Sequence, residues 1–268
     1  MKKYNNYPIG IFDSGFGGLT VMSALNKILP NESLIYFGDT AHVPYGSKSQ
    51  EAVEMFSKNI ASFLVGKKIK MLVIACNTAS AFALPAVKKT VKIPVIGVIE
   101  PGAKAAFAAT KNNRIGVIGT EGTIKSDSYK KAVKKISDAK VFQQACPLLV
   151  PLVEEGWTNT KIVLDIAKIY LSKLLKKRID TLVLGCTHYP LLKKTLKIAA
   201  GENIELVDSA DVIALEVKKN LLAKDLCADK NHKSVLSFYV SDNPKKFQKI
   251  GNRFFLKKIP SVKKIVLE

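Results

Sequence analysis

The sequence predicts an α/β protein made of two pseudo-symmetric parallel-sheet domains. Two observations carry this. Short, branched apolar runs recur along the chain with helical patterns between them, the signature of parallel βαβ units whose strands are buried on both faces. Landmarks of the first half also return in the second after about 110 residues. Ile9-Gly10-Ile11 reappears as Ile115-Gly116-Val117, Cys76 as Cys186 and, more loosely, Val95-Ile96-Gly97 as Ile204-Glu205-Leu206.

Taken in order, the apolar runs of the first half are Ile9–Phe12 ahead of Asp13-Ser14-Gly15, Leu34–Phe37 ahead of Gly38-Asp39-Thr40, Met71–Ala75 ahead of Cys76-Asn77-Thr78, and Pro94–Ile99 ahead of Glu100-Pro101-Gly102. The second half has Ile115–Ile118 ahead of Gly119-Thr120, Thr181–Leu184 ahead of Gly185-Cys186-Thr187, and Ile204–Val207 ahead of Asp208-Ser209. Each run has the length of a strand and ends on small or polar residues that can turn the chain or cap a helix. Gln50–Leu64 and Lys161–Lys177 read as helices between strands. Beyond Asp208 the pattern predicts a helix over Val212–Ala223, a strand over Val235–Val240, and a helix starting near Asp242-Asn243-Pro244, where capping residues precede an early proline. This tail is expected to return to the first half. The predicted domains are therefore residues 1–97 with 208–268, and residues 98–207.

Composition narrows the class. The chain has 268 residues, 47% hydrophobic and 24% charged, the balance of a soluble globular protein. Met1 to Pro8 carries two lysines with no apolar run behind them, so no secretory leader is expected, and no stretch is long enough to span a bilayer. A cytoplasmic location and no membrane partner follow as expectations. The net charge of +20 invites a nucleic-acid reading, yet only Arg114, Arg178 and Arg253 of the 42 basic residues are arginine. Readers of phosphates and bases favour the planar arginine fork. Dispersed lysines describe a solvated surface better, so a nucleic-acid partner is not expected. The four cysteines form no CxxC pair, and His42, His188 and His232 are scattered. Neither a disulfide framework nor a metal site is expected.

Chemistry concentrates at two strand ends. Met71–Ala75 runs into Cys76-Asn77-Thr78, and Thr181–Gly185 runs into Cys186-Thr187-His188-Tyr189-Pro190. Ligands of open parallel sheets bind beyond such carboxyl ends. A helix start just past each cysteine would favour its thiolate. Asn77, Thr78 and Thr187 can cap those helices or donate to a carboxylate. Any single cysteine is ordinarily a small buried hydrophobe, the reading given to Cys146 and Cys227. Equivalent placement sets Cys76 and Cys186 apart. Thiols reaching one cleft from opposite sides would supply an acid and a base to the two faces of a carbon.

Asp13 and His188 are candidates to hold a proton or orient a sulfur. Glu154 is a further candidate, with a solvated loop carboxylate as its plain alternative. Gly15-Phe16-Gly17-Gly18 does not fit the dinucleotide fingerprint and is either a tight turn or an anion-facing loop. Pro44-Tyr45-Gly46 is either a turn or a clamp. Thr120, Thr123 and Ser126 offer hydroxyls for a carboxylate, or caps.

These stretches together resemble the glutamate racemases of the aspartate/glutamate racemase superfamily, from end to end. The matching motifs are Ile11-Phe12-Asp13-Ser14-Gly15-Phe16-Gly17-Gly18, Tyr36-Phe37-Gly38-Asp39-Thr40, Pro44-Tyr45-Gly46, Ala75-Cys76-Asn77-Thr78-Ala79, Gly185-Cys186-Thr187-His188-Tyr189-Pro190 and Asp208-Ser209-Ala210. The resemblance implies two Rossmann-like or flavodoxin-like domains with the active site in the cleft between them. It implies conversion of L-glutamate to D-glutamate for peptidoglycan, without pyridoxal phosphate or any other cofactor or metal. Cys76 would take the α-proton from D-glutamate and Cys186 from L-glutamate, assisted by Asp13 and by Glu154 or His188. Asp13, Ser14, Pro44, Tyr45, Gly46, Cys76, Asn77, Thr78, Thr120, Thr187 and His188 would bind substrate. A homodimer is implied as well. An aspartate racemase or maleate isomerase would share the two-cysteine frame.

Overall fold

The computed structural model describes residues 5–267. The leader reading of residues 1–8 therefore rests partly on positions outside the described residues. The chain runs β1 (Ile9–Asp13), α1 (Leu19–Ile28), β2 (Leu34–Gly38), α2 (Gln50–Gly66), β3 (Met71–Ile74), α3 (Asn77–Thr90), β4 (Val95–Gly97) and α4 (Ile99–Ala109). It continues with β5 (Arg114–Gly119), α5 (Glu121–Lys125), α6 (Ser128–Lys134), β6 (Lys140–Ala145), α7 (Leu149–Glu154), α8 (Lys161–Leu175), β7 (Thr181–Gly185), α9 (Lys193–Ala200) and β8 (Glu205–Asp208). The tail adds α10 (Ser209–Ala223), β9 (Leu236–Val240), α11 (Pro244–Phe255) and the short β10 (Lys263–Lys264).

The strands form two parallel sheets, ordered β10-β9-β2-β1-β3-β4 and β6-β5-β7-β8. The second order repeats the β2-β1-β3-β4 portion of the first. β1, β2, β3 and β7 are buried along their whole length, as their unbroken apolar runs require. The repeat extends to packing. A Cβ added to Gly10 would meet Ile69 at 2.7 Å and Leu72 at 3.5 Å; one added to Gly116 would meet Ile179 at 2.5 Å and Leu182 at 3.1 Å. Both glycines let an isoleucine and a leucine close over the middle of the leading strand.

Three expectations need adjustment. Leu72 pairs with Val95 and Leu182 with Leu206, so Val95 corresponds to Leu206 rather than to Ile204. The run Pro94–Ile99 yields only a three-residue strand, because Ile99 already opens α4. The strand β6 carried no apolar signal. It pairs with β5 alone at the sheet edge and is exposed or half-buried throughout.

α10 packs against both α1 and α4. One apolar cluster joins Leu25, Ile213, Leu184 and Phe254, so the core is continuous between the two sheets. In each sheet the strand order reverses between the leading strand and its neighbour, β1 and β3 in one, β5 and β7 in the other. Such a switch point opens a crevice beyond the carboxyl ends of the strands.

Candidate active site

The two crevices share one cavity of about 360 Å³. Of the residues singled out from sequence, Ser14, Pro44, Tyr45, Gly46, Cys76, Asn77, Thr78, Thr120, Glu154, Cys186, Thr187 and His188 line it. Asp13 stands behind that lining. It is fully buried, with its carboxylate accepting from Gly15 N at 3.0 Å and Thr187 Oγ1 at 3.3 Å. These contacts place Asp13 directly behind the Ser14 and Thr187 wall of the cavity. Val43, Ser47, Glu121, Pro147, Val150 and Pro151 also line the cavity and were not foreseen. Pro147, Val150 and Pro151 belong to the proline-interrupted stretch around α7, whose only sequence signal was its proximity to Glu154.

At the end of β3, Cys76 is the N-cap of α3. Its Sγ accepts from Ala79 N at 3.4 Å and lies 3.8 Å from Ser14 Oγ. A thiol poised as thiolate was expected here. Instead burial, reinforced by the Asp13 carboxylate, pushes Cys76 up to about 12. One amide hydrogen bond does not offset desolvation of a buried anion. Burial also raises Asp13 above the usual carboxylate range, against the opposing influence of His188.

At the end of β7 the surroundings differ. Cys186 Sγ lies 3.8 Å from His188 Nδ1, and His188 Nε2 is 3.0 Å from Glu154 Oε1. Burial disfavours the imidazolium, but the contacts with Cys186 and Glu154 outweigh it and raise His188 to about 10. No α-helix starts directly after Cys186. A 3₁₀ turn at Tyr189–Leu192, with a proline at its start, precedes α9. The cation beside this sulfur is therefore a side chain rather than a helix end. Cys146 is buried, its Sγ donates to Gln144 O at 3.6 Å, and burial raises its thiol, as suits a packing residue. Cys227 is half-buried and outside the cavity.

Donors line the space between. Tyr129 OH donates to Asn77 Oδ1 at 2.8 Å and so fixes the amide; the buried Nδ2 has no partner among the described residues. An unpaired buried donor costs free energy unless a ligand satisfies it. Thr78 and Thr120 hydroxyls are 2.8 Å apart, and Thr123, buried beneath them, is 3.2 and 3.0 Å away. Ser126 turns back to Thr123 O at 2.6 Å and acts as a cap. Tyr45 OH donates to the buried Asp39 at 2.5 Å, which anchors the Pro44-Tyr45-Gly46 wall. The halves approach closely where glycine allows it. A Cβ at Gly46 would lie 2.6 Å from Thr120, and one at Gly17 would lie 2.1 Å from Thr187 Oγ1. Among the described residues no three His, Cys, Asp or Glu side chains form a metal-holding group.

Buried thiols from two parallel sheets thus line one small cavity, with a histidine beside one of them and a carboxylate beside that histidine. The family model of Asp/Glu/hydantoin racemases matches residues 9–217. A glutamate racemase of Geobacter metallireducens is 53% identical over 261 residues, with 97% of each chain covered. A solved glutamate racemase isoform of Bacillus anthracis superposes with a TM-score of 0.94 at 42% identity, covering 97% of this chain and 98% of its own. The Francisella tularensis glutamate racemase, solved with D-glutamate, superposes with a TM-score of 0.93 at 38% identity, covering 98% and 99%. The chain belongs to the Asp/Glu/hydantoin racemase family, within which these relatives group it with the glutamate racemases.

Proposed function

We propose that this isomerase interconverts L- and D-glutamate by a two-base mechanism, with Cys76 and Cys186 exchanging roles as base and acid. The observation that carries the mechanism is the pair of thiols lining one cavity from equivalent strands of different sheets. From L-glutamate, Cys186 Sγ takes the α-proton while Cys76 Sγ–H gives one to the opposite face; from D-glutamate the roles reverse. His188, held by Glu154, supplies the positive charge beside Cys186 that a thiolate needs. On the other side, burial keeps Cys76 a thiol, ready to donate. A bound substrate ammonium would bring positive charge into the cavity and lower the cost of ionising that sulfur.

The α-proton of an amino acid is a very weak acid. Preorganised donors must therefore stabilise charge developing at the carboxylate. Asn77 Nδ2, unpartnered and aimed by Tyr129, is suited to that task, as are the hydroxyls of Thr78, Thr120 and Thr187. With these groups the proposal needs neither a cofactor nor a metal. Asp13 serves behind the wall by orienting Thr187 and tuning Cys76. The reading extends to a cytoplasmic homodimer supplying D-glutamate for peptidoglycan, with no membrane or nucleic-acid partner, and to lobes comprising residues 1–97 with 208–268 and residues 98–207. The protein is tested by incubation with L-glutamate in heavy water, without added cofactor. One deuterium at the α-carbon of the newly formed D-glutamate is expected; D-glutamate retaining its original hydrogen would overturn exchange between two bases.

A further inference from the structure

We propose that helix α11 positions the proton-transfer group at the opposite lobe's thiol, with Arg253 and Phe254 as positioning residues for Glu154 and His188. The proposal rests on the two-thiol reading. Phe254 is buried and packs edge-on against His188, with ring centroids 5.1 Å apart and planes at 78°. The two ring nitrogens of His188 are engaged by Cys186 and Glu154. Those contacts leave the ring free to tilt about the line joining its nitrogens, and an aromatic edge beside it restricts that tilt. Arg253 Nη1 donates to the backbone carbonyl of Glu154 at 3.2 Å. Glu154 is the last residue of α7, where helix carbonyls lack intrahelical donors and a cation is favourable. The guanidinium lies over Gly156, whose φ is +84°; a Cβ there would meet Nη1 at 2.6 Å.

The rest of α11 is anchored in the other lobe. Phe247 packs on Phe16 and Tyr36 with centroids 5.7 and 5.8 Å apart, and Phe255 packs on Phe238 at 5.5 Å. Ser23 Oγ of α1 donates to Phe255 O at 3.0 Å. One short helix thus connects the sheet that carries Cys76 to the two side chains that assist Cys186. Separation of the lobes would release Glu154 and His188 together, so proton transfer at Cys186 is competent only while the lobes hold their present relation.

The test uses isotope effects, because the equilibrium constant of a racemase is unity and kcat/KM must be equal in the two directions. Turnover is measured with L-glutamate and D-glutamate, each carrying deuterium at the α-carbon, for Arg253→Ala, Phe254→Leu and Gly156→Ala. Loss of one hydrogen bond or one aromatic contact is expected to lower kcat/KM ~5-fold. Cys186 then limits the rate more strongly. The isotope effect should rise for L-glutamate, where Cys186 breaks the labelled bond, and fall for D-glutamate. Arg253→Lys should restore most of the wild-type pattern. Gly156→Ala displaces the guanidinium without changing a residue of α11, and because it also strains the backbone at φ +84° it is read only with Arg253→Ala. An unchanged circular-dichroism spectrum and melt in each variant shows that folding is intact. Cys186→Ala, run alongside, separates the two claims. If it is inactive while the other variants leave both isotope effects unchanged or moving together, the positioning role is overturned and the two-thiol reading stands. If Cys186→Ala remains active, both are overturned.

Discussion

Cys76 and Cys186 leave equivalent strands, β3 and β7, at the same place in two repeated sheets, yet they stand in different company. Cys76 is enclosed with the Asp13 carboxylate behind it and Ser14 beside it. Cys186 faces His188, which Glu154 holds from the other side. The position equivalent to Asp13 in the second half is Gly119, and no histidine follows Cys76 where His188 follows Cys186. The backbone repeat places two sulfurs symmetrically, and the side chains then break the symmetry of charge. A negative neighbour disfavours one thiolate while a cation can accompany the other. A two-base exchange would need one sulfur ionised and the other protonated; this asymmetry favours the arrangement that would receive L-glutamate, while D-glutamate would need the reverse.

The comparison is tested most severely by removing the sulfurs in turn. Cys76→Ala and Cys186→Ala are each expected to lower turnover by roughly 10²–10⁴-fold, followed by polarimetry from either enantiomer. Near-normal activity in either variant would break the symmetry of roles. Next comes the cation. His188→Asn is expected to reduce kcat by about 10²-fold. It should also change how stability varies with pH. The folded value of about 10 lies above the ordinary ~6.5 of an unfolded histidine. The stabilisation is therefore complete below that ordinary value and is lost as pH rises through about 10. The Tm difference between wild type and His188→Asn should accordingly shrink steadily from pH 6 to pH 10; a constant difference would show that the imidazole is not held as a cation. The smallest effect belongs to the donor between the sulfurs. Tyr129→Phe frees the Asn77 amide that stabilises developing charge, and is expected to lower kcat ~5-fold in both directions with KM little changed. An unchanged kcat would mean that Asn77 does not donate in the transition state.

The strands β1, β2, β3, β5 and β7 were legible because burial on both faces demands a continuous apolar run. β6 was not, since an edge strand with half-exposed residues such as Gln143 and Gln144 has no such requirement. The site was legible as far as it lies on strand ends, where Cys76, Asn77, Cys186 and His188 are fixed by local chain direction. The wall formed by Pro147, Val150 and Pro151 was hidden because prolines in a short segment read as a loop, whereas α7 turns them into one side of the cavity. Arg253 and Phe254 carried only the signal of a helix.

Alone, the sequence determined the alternation of strand and helix, the duplication, and the strand-end location of both thiols, since each follows from local patterns of burial and turn formation. Tertiary structure decided the rest: that Asp13 lies directly behind the cavity wall, that burial pushes the Cys76 thiol up, and that Glu154 and α11 converge on His188. Desolvation and charge depend on which distant segments pack together, and no local pattern encodes that.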